Sequence, residues 1–180
     1  DAIFKRKQEP LLPWAFVLFI LCDTVIGKRE IEYGDNKTVI NFNPPYRRVA
    51  YKDLVKELMG EDWFDLPFET QLEKAKAKGR ETETNLELDG VDTELMLTHE
   101  VYDKLIERNI MQPTFVTRIP RQFVPLAKAC KDDPSLVDVF EFVVAGRELC
   151  PGYTEQNDPI AQREALENQA GEDTEKIDED

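Results

Sequence analysis

The sequence predicts an α+β domain, an antiparallel β-sheet flanked by helices. Short alternating or β-branched runs come in pairs separated by turn residues, as hairpins require. Between the pairs lie stretches with apolar residues at helical spacing. With 180 residues and 41% apolar content, the chain can bury the core of one ordinary domain.

In chain order, Lys28 to Tyr33 and Thr38 to Phe42 alternate around Gly34-Asp35-Asn36 and form a β-hairpin, which Asn43-Pro44-Pro45 stops. Tyr51 to Met59 places Leu54, Val55, Leu58 and Met59 on one helical face and closes on Gly60. Phe68 to Lys78 is a charged helix ending at Gly79, and Arg80 to Gly90 is a polar surface connection. A longer helix runs from about Asp92 to Asn109, with Leu95, Leu97, Val101, Leu105 and Ile106 on its apolar face, and Pro113 ends it. Thr114 to Thr117 is a strand, and Pro120 to Pro125 is irregular. Leu136 to Val144 and Arg147 to Thr154 are strands joined by a tight turn at Ala145-Gly146. Asn157 or Asp158 caps a final helix that has Pro159 in its first turn and runs from Ile160 to Ala170.

The formal charge of -14 argues against nonspecific attraction to nucleic acid, which lysine and arginine drive. From Glu155 onward ten acids face two bases, Arg163 and Lys176, and this stretch reads as a solvated helix face and tail. Cys22, Cys130 and Cys150 are odd in number and lack metal spacing, which suits reduced thiols in a cytosolic protein. The lone His99, on a helix, reads as structural. Lys5-Arg6-Lys7 and the apolar run Leu11 to Leu21 imitate a signal peptide. That run holds Pro13, lacks a small-residue cleavage site and falls short of the roughly 20 residues that span a bilayer. Residues 1–21 are therefore left unassigned, as a buried segment or one not native to the domain, and no membrane partner is expected.

Glu141, Glu148 and Glu155 recur at intervals of seven, an odd spacing that alternates faces along one strand. A two-residue loop at Ala145-Gly146 changes this, setting Val144 opposite Arg147, Val143 opposite Glu148 and Glu141 opposite Cys150. Glu141 and Glu148 then lie diagonally on one face, about 7 to 8 Å apart at the backbone. Two acids so placed repel unless a cation lies between them, and magnesium takes oxygen ligands of this kind, so a magnesium–nucleotide site is one reading. A solvated sheet face, or pairing with Arg147 or Lys128, is the other, and a three-residue loop would separate the pair. Glu155 falls on the opposite face of a regular strand, while a bulge near Gly152 would turn it inward, so spacing leaves its role undecided.

The run Phe140-Glu141-Phe142-Val143-Val144-Ala145-Gly146-Arg147-Glu148-Leu149, then Gly152-Tyr153-Thr154-Glu155, Asn157-Asp158-Pro159 and Gln162-Arg163, resembles class II lysyl-tRNA synthetases just before their third signature motif. Gln112 to Thr117, Pro125 to Lys128, Asp132-Asp133-Pro134 and Pro44 to Arg48 resemble the same family in the same order, so the likeness covers about Cys22 to Asp180. The resemblance implies a partial class II catalytic domain over residues 22–180. It implies that Glu141 and Glu148 hold the metal of magnesium–ATP and that Tyr153 and Glu155 line a lysine pocket. The implied reaction is ATP-dependent activation of lysine and its transfer to tRNA by a cytoplasmic, homodimeric enzyme. Pro151 stands where many members have asparagine, and the second and third motifs have no counterpart in these 180 residues. The chain alone is therefore expected to be inactive in ATP–pyrophosphate exchange. A ligase-like paralogue that modifies a translation factor, and a noncatalytic module that kept the fold, are the alternatives.

Overall fold

The computed structural model of the protein describes Leu18 and residues 20–170. The segment before Leu18 and the acidic stretch after residue 170, on which two of the sequence expectations fall, lie outside them.

The expected hairpin forms from β1 (Glu30–Tyr33) and β2 (Thr38–Asn41), antiparallel, with Ile31 opposite Ile40. Four further strands build the main sheet: β3 (Arg47–Ala50), β4 (Thr114–Thr117), β5 (Val139–Val144) and β6 (Arg147–Tyr153), side by side in that order. β4, β5 and β6 are antiparallel neighbours, whereas β3 lies parallel to β4, with Val49 opposite Val116. β3 carries too little alternation to be read as a strand, and its partner sits more than sixty residues away in the chain. The strand expected from Leu136 begins at Val139, because Leu136 and Val137 make isolated bridges to Pro120 and Ala129 instead.

Helix α1 (Tyr51–Met59) stops where Gly60 takes φ 106° and donates its N–H to the Lys56 carbonyl. Helix α2 (Phe68–Glu81) runs past the stop expected at Gly79. There glycine allows a close approach: the returning loop bonds Thr84 N–H to the Gly79 carbonyl at 2.8 Å, and a Cβ on Gly79 would lie 2.9 Å from the Thr84 carbonyl oxygen. Helix α3 (Glu94–Val101) starts on Thr93, whose hydroxyl accepts the Met96 N–H, and widens into a π-turn over Tyr102–Ile106 and a 3-10 turn over Glu107–Asn109. Helix α4 (Pro159–Ala170) is capped by Asp158, whose carboxylate accepts the N–H groups of Ile160 and Ala161.

Pleating gives the sheet two unlike faces. On one, Val116, Val139 and Val143 meet Tyr51, Leu54 and Val55 of α1 and Leu97, Val101 and Leu105 of α3 in the main core. Trp63, fully buried in that core, donates its indole N–H to the Thr98 hydroxyl, and Gln71 donates to the Trp63 carbonyl. The other face carries Phe115, Phe140, Phe142 and Val144, covered by Ile40 and Phe42 of the hairpin arm together with Tyr46. Gln112 ties that arm down, accepting the Asn41 N–H and donating to the Val39 carbonyl.

Candidate functional site

The β5–β6 hairpin has the expected two-residue loop: Ala145 and Gly146 both take positive φ, 53° and 69°. Val144 faces Arg147 and Val143 faces Glu148, as the sequence predicts. The next expectation is corrected, because Glu141 lies opposite Pro151 and not Cys150. The register slips between Phe142 and Val143: Val143 pairs with Glu148 but Phe142 pairs with Cys150, leaving Leu149 as the extra residue of a β-bulge. Glu141 and Glu148 keep their common face, since Glu148 pairs with Val143 and Glu141 is two residues from Val143.

The bulge sets the facing of every later residue of β6. Beyond Leu149 the parity of the strand is reversed, so Tyr153, opposite Val139, joins the face of Glu141 and Glu148. On the opposite side Gly152 lies under the Phe140 ring, and the Thr154 hydroxyl donates to the Asp138 carboxylate at 2.8 Å. Glu155, one residue on, therefore falls on the side of Tyr153, and its strand is fastened by Lys128 N–H to the Thr154 carbonyl and Gln156 N–H to the Leu126 carbonyl. The reversal comes from Leu149, three residues before Gly152, near which the sequence allows a bulge that turns Glu155 inward.

The two candidate metal-holding acids have different surroundings. Glu148 is exposed, while Glu141 is half-buried, on the face of the sheet that carries Val139 and Val143. Burial first, then the charges of Glu148 and Glu107, push the Glu141 carboxyl up to about 8. The ion pairs of the neighbourhood use other acids, Arg118 with Asp132, Lys104 with Asp103 and Glu87, and Arg108 with Asp103. Under the acids two tyrosine rings pack 4.6 Å apart, those of Tyr51 and Tyr102. Glu107 and these tyrosines have no signal in the sequence, because only the docking of the hairpin tip on the end of α3 brings them to the acids.

Tyr153 and Glu155 are exposed on an open face. Among the described residues, one cleft of about 430 Å³ is bordered by Arg48, Asp53 and Glu57, and another of about 250 Å³ lies between Tyr51, Phe64 and Gln122. His99 stacks on Phe123 at 3.8 Å and on Tyr102 at 6.5 Å, between ring centroids. All three cysteines are free thiols. Among the described residues, no helix is long and apolar enough to cross a membrane.

This mixed sheet, with its helices on one face and its acids on a bulged hairpin, is the architecture of a known class. The family described as tRNA synthetases class II (D, K and N) matches residues 18–180, and the chain belongs to it. Its similarity extends to particular members. The lysine–tRNA ligase of Clostridium tetani is 35% identical over 144 residues, covering 80% of this chain and 28% of that protein. Those of Aquifex aeolicus and Trichormus variabilis are each 37% identical, over 80% and 86% of this chain and 23% and 26% of their own lengths. The chain thus spans about a quarter of the length of the curated relatives it matches.

Proposed function

We propose that this chain is part of the catalytic domain of a cytoplasmic lysine–tRNA ligase, with lysine, ATP and tRNA as substrates of the intact, homodimeric enzyme. The observation that carries the reading is the Leu149 bulge, which sets Glu141, Glu148, Tyr153 and Glu155 on one face. Glu141 and Glu148 would hold magnesium. The fit rests on the donor set, two carboxylate groups on one face, one of them half-buried. When bound, the ion offsets charge on the ATP phosphates.

The chain's own residues bind and orient. Glu155 pairs with the lysine side-chain ammonium, which needs an anion once it leaves water, and the Tyr153 ring packs along the methylene stem. So held, the lysine carboxylate attacks the α-phosphate of ATP; the new P–O bond forms as the bond to pyrophosphate breaks. The activated carbonyl then passes to a hydroxyl at the 3′ end of tRNA, with release of AMP. Pro151, opposite Glu141, offers no polar contact to the amino acid where an asparagine would.

Calorimetric titration of the intact protein tests this. Glu155→Gln weakens lysine binding by about thirtyfold or more with magnesium–ATP binding kept. Glu141→Gln and Glu148→Gln weaken magnesium–ATP with lysine binding kept. Unchanged lysine affinity in Glu155→Gln sinks the pocket and favours a noncatalytic module, and lysine activation without transfer to tRNA favours a paralogue acting on another acceptor.

A further inference from the structure

The hairpin that carries the two acids has a choice of register. In the structure Ala145 and Gly146 form a two-residue loop, and Leu149 is left over as the bulge. Absorbing that extra residue in the loop gives the other register: Ala145, Gly146 and Arg147 become a three-residue loop, the next most common hairpin connection, and lead into a strand with no bulge. From Cys150 onward the pairing would not change, since Phe142 stays opposite Cys150 and Val139 opposite Tyr153. Only the pairs next to the loop would differ, with Leu149 opposite Val143 and Glu148 opposite Val144. Cross-strand partners share a face, so Glu148 would leave the face of Glu141 and join Val144 on the aromatic face of the sheet.

Local chemistry does not choose between the two. The observed loop holds Ala145 at φ 53°, a left-handed conformation that disfavours a residue with a Cβ, and leaves the ladder broken at the bulge. The three-residue loop restores the ladder and moves the left-handed position to Arg147, another residue with a Cβ. What separates them lies outside the hairpin. Gly146 donates its N–H to the Ile110 carbonyl at 3.0 Å, and Ala145 donates to the Met111 carbonyl at 3.2 Å, in the connection that leads from α3 into β4. The Arg108 carbonyl occupies the space a Cβ on Gly146 would need. These contacts fit the observed path of Ala145 and Gly146, both at positive φ, and a three-residue loop turns both to negative φ and breaks them. Backbone strain that persists because its surroundings impose it, as at Ala145, is a pointer to function.

We propose that this clamp positions the cation site: by holding Ala145 and Gly146 in the two-residue loop, the segment from Arg108 to Met111 forces the extra residue into the strand as the Leu149 bulge and so keeps Glu148 on the face of Glu141. This rests on the reading that Glu141 and Glu148 hold the ion. Ala145 and Gly146 are positioning residues, acting through the register of Glu148. The lysine side of the hairpin does not depend on the clamp, because Tyr153 opposite Val139 and Glu155 opposite Ala127 keep their partners in both registers.

The test uses the intact protein and Mn2+ without ATP, with free Mn2+ followed by electron paramagnetic resonance, and with lysine binding and unfolding midpoints measured on the same samples. Gly146→Ala, whose methyl group meets the Arg108 carbonyl, weakens Mn2+ binding about tenfold and leaves lysine binding unchanged. Adding Arg147→Gly, which puts glycine at the left-handed position of the three-residue loop, restores stability to the Gly146→Ala protein and does not restore Mn2+ binding. Deleting Leu149 supplies the control, because without the spare residue the two-residue loop leads into a regular strand; in that chain Gly146→Ala changes Mn2+ binding by no more than about twofold. Mn2+ loss that is equal in both chains, or that Arg147→Gly repairs together with stability, overturns the clamp and leaves the pair standing, as does unchanged Mn2+ binding in Gly146→Ala when Glu148→Gln loses the ion. Unchanged Mn2+ binding in Glu141→Gln and Glu148→Gln overturns the pair, and the role of the clamp with it.

Discussion

Gly152 has no room for a methyl group, because the Phe140 ring of the neighbouring strand lies over its Cα. Gly152→Ala should destabilise the protein by about 1–3 kcal/mol in urea denaturation, and Phe140→Leu in the same chain should recover part of the loss. Thr98→Val strands the buried Trp63 indole N–H, for a similar loss of about 1–3 kcal/mol. His99 gives a pH signature. Burial holds its imidazole below the ordinary value of 6.5, outweighing the raising effect of Asp103 and Glu100. The unfolded state therefore binds the proton more readily, and the stability His99 contributes is complete above about pH 6.5 and is lost as the pH falls through the folded-state value. His99→Phe, which keeps the stack on Phe123, should flatten this acid-side loss; an unchanged slope of stability between pH 5 and about pH 7 would show that other groups cause it.

At the scale of elements, the bulge separates two functions that the hairpin carries together. Deleting Leu149 restores a regular strand, leaving Glu141 and Glu148 on one face and sending Tyr153 and Glu155 to the other. Lysine affinity should collapse while Mn2+ affinity is kept, provided the circular dichroism spectrum is unchanged. The hairpin, its two-residue loop and the shared face of the two acids were legible in the sequence, because turn chemistry and alternation are local. A bulge near Gly152 was legible as one possibility, but its position was not, since Leu149 looks like any strand residue and nothing local says where the register slips. The same holds for β3, made a strand by a partner far along the chain, and for Gly79, where a returning loop and not a helix end required glycine. Glu107 was legible only as the end of a helix, since nothing local says that the hairpin tip docks beside it.

Across the whole molecule, one sheet divides two cores, an aliphatic and tyrosine-rich one under α1 and α3 and an aromatic one under the hairpin arm. Around them the chain carries a formal charge of -14. Self-repulsion of this size should make stability depend on ionic strength: salt shortens the screening length from about 30 Å at 0.01 M to about 8 Å at 0.15 M. The unfolding midpoint of the metal-free protein should therefore rise over that range, as differential scanning fluorimetry would record. A flat response would mean that local ion pairs, such as Arg29 with Asp23 and Arg47 with Glu57, already balance the surface.

The docked hairpin tip also gives the molecule a built-in clock. The amide hydrogens of Ala145 and Gly146 are spent on the carbonyls of Met111 and Ile110, in the connection that leads from α3 into β4, so they can trade with deuterium only when the hairpin tip lifts from that connection. Their exchange rates, read by nuclear magnetic resonance, time that separation, and a ligand that pins the hairpin tip should slow both by the same factor.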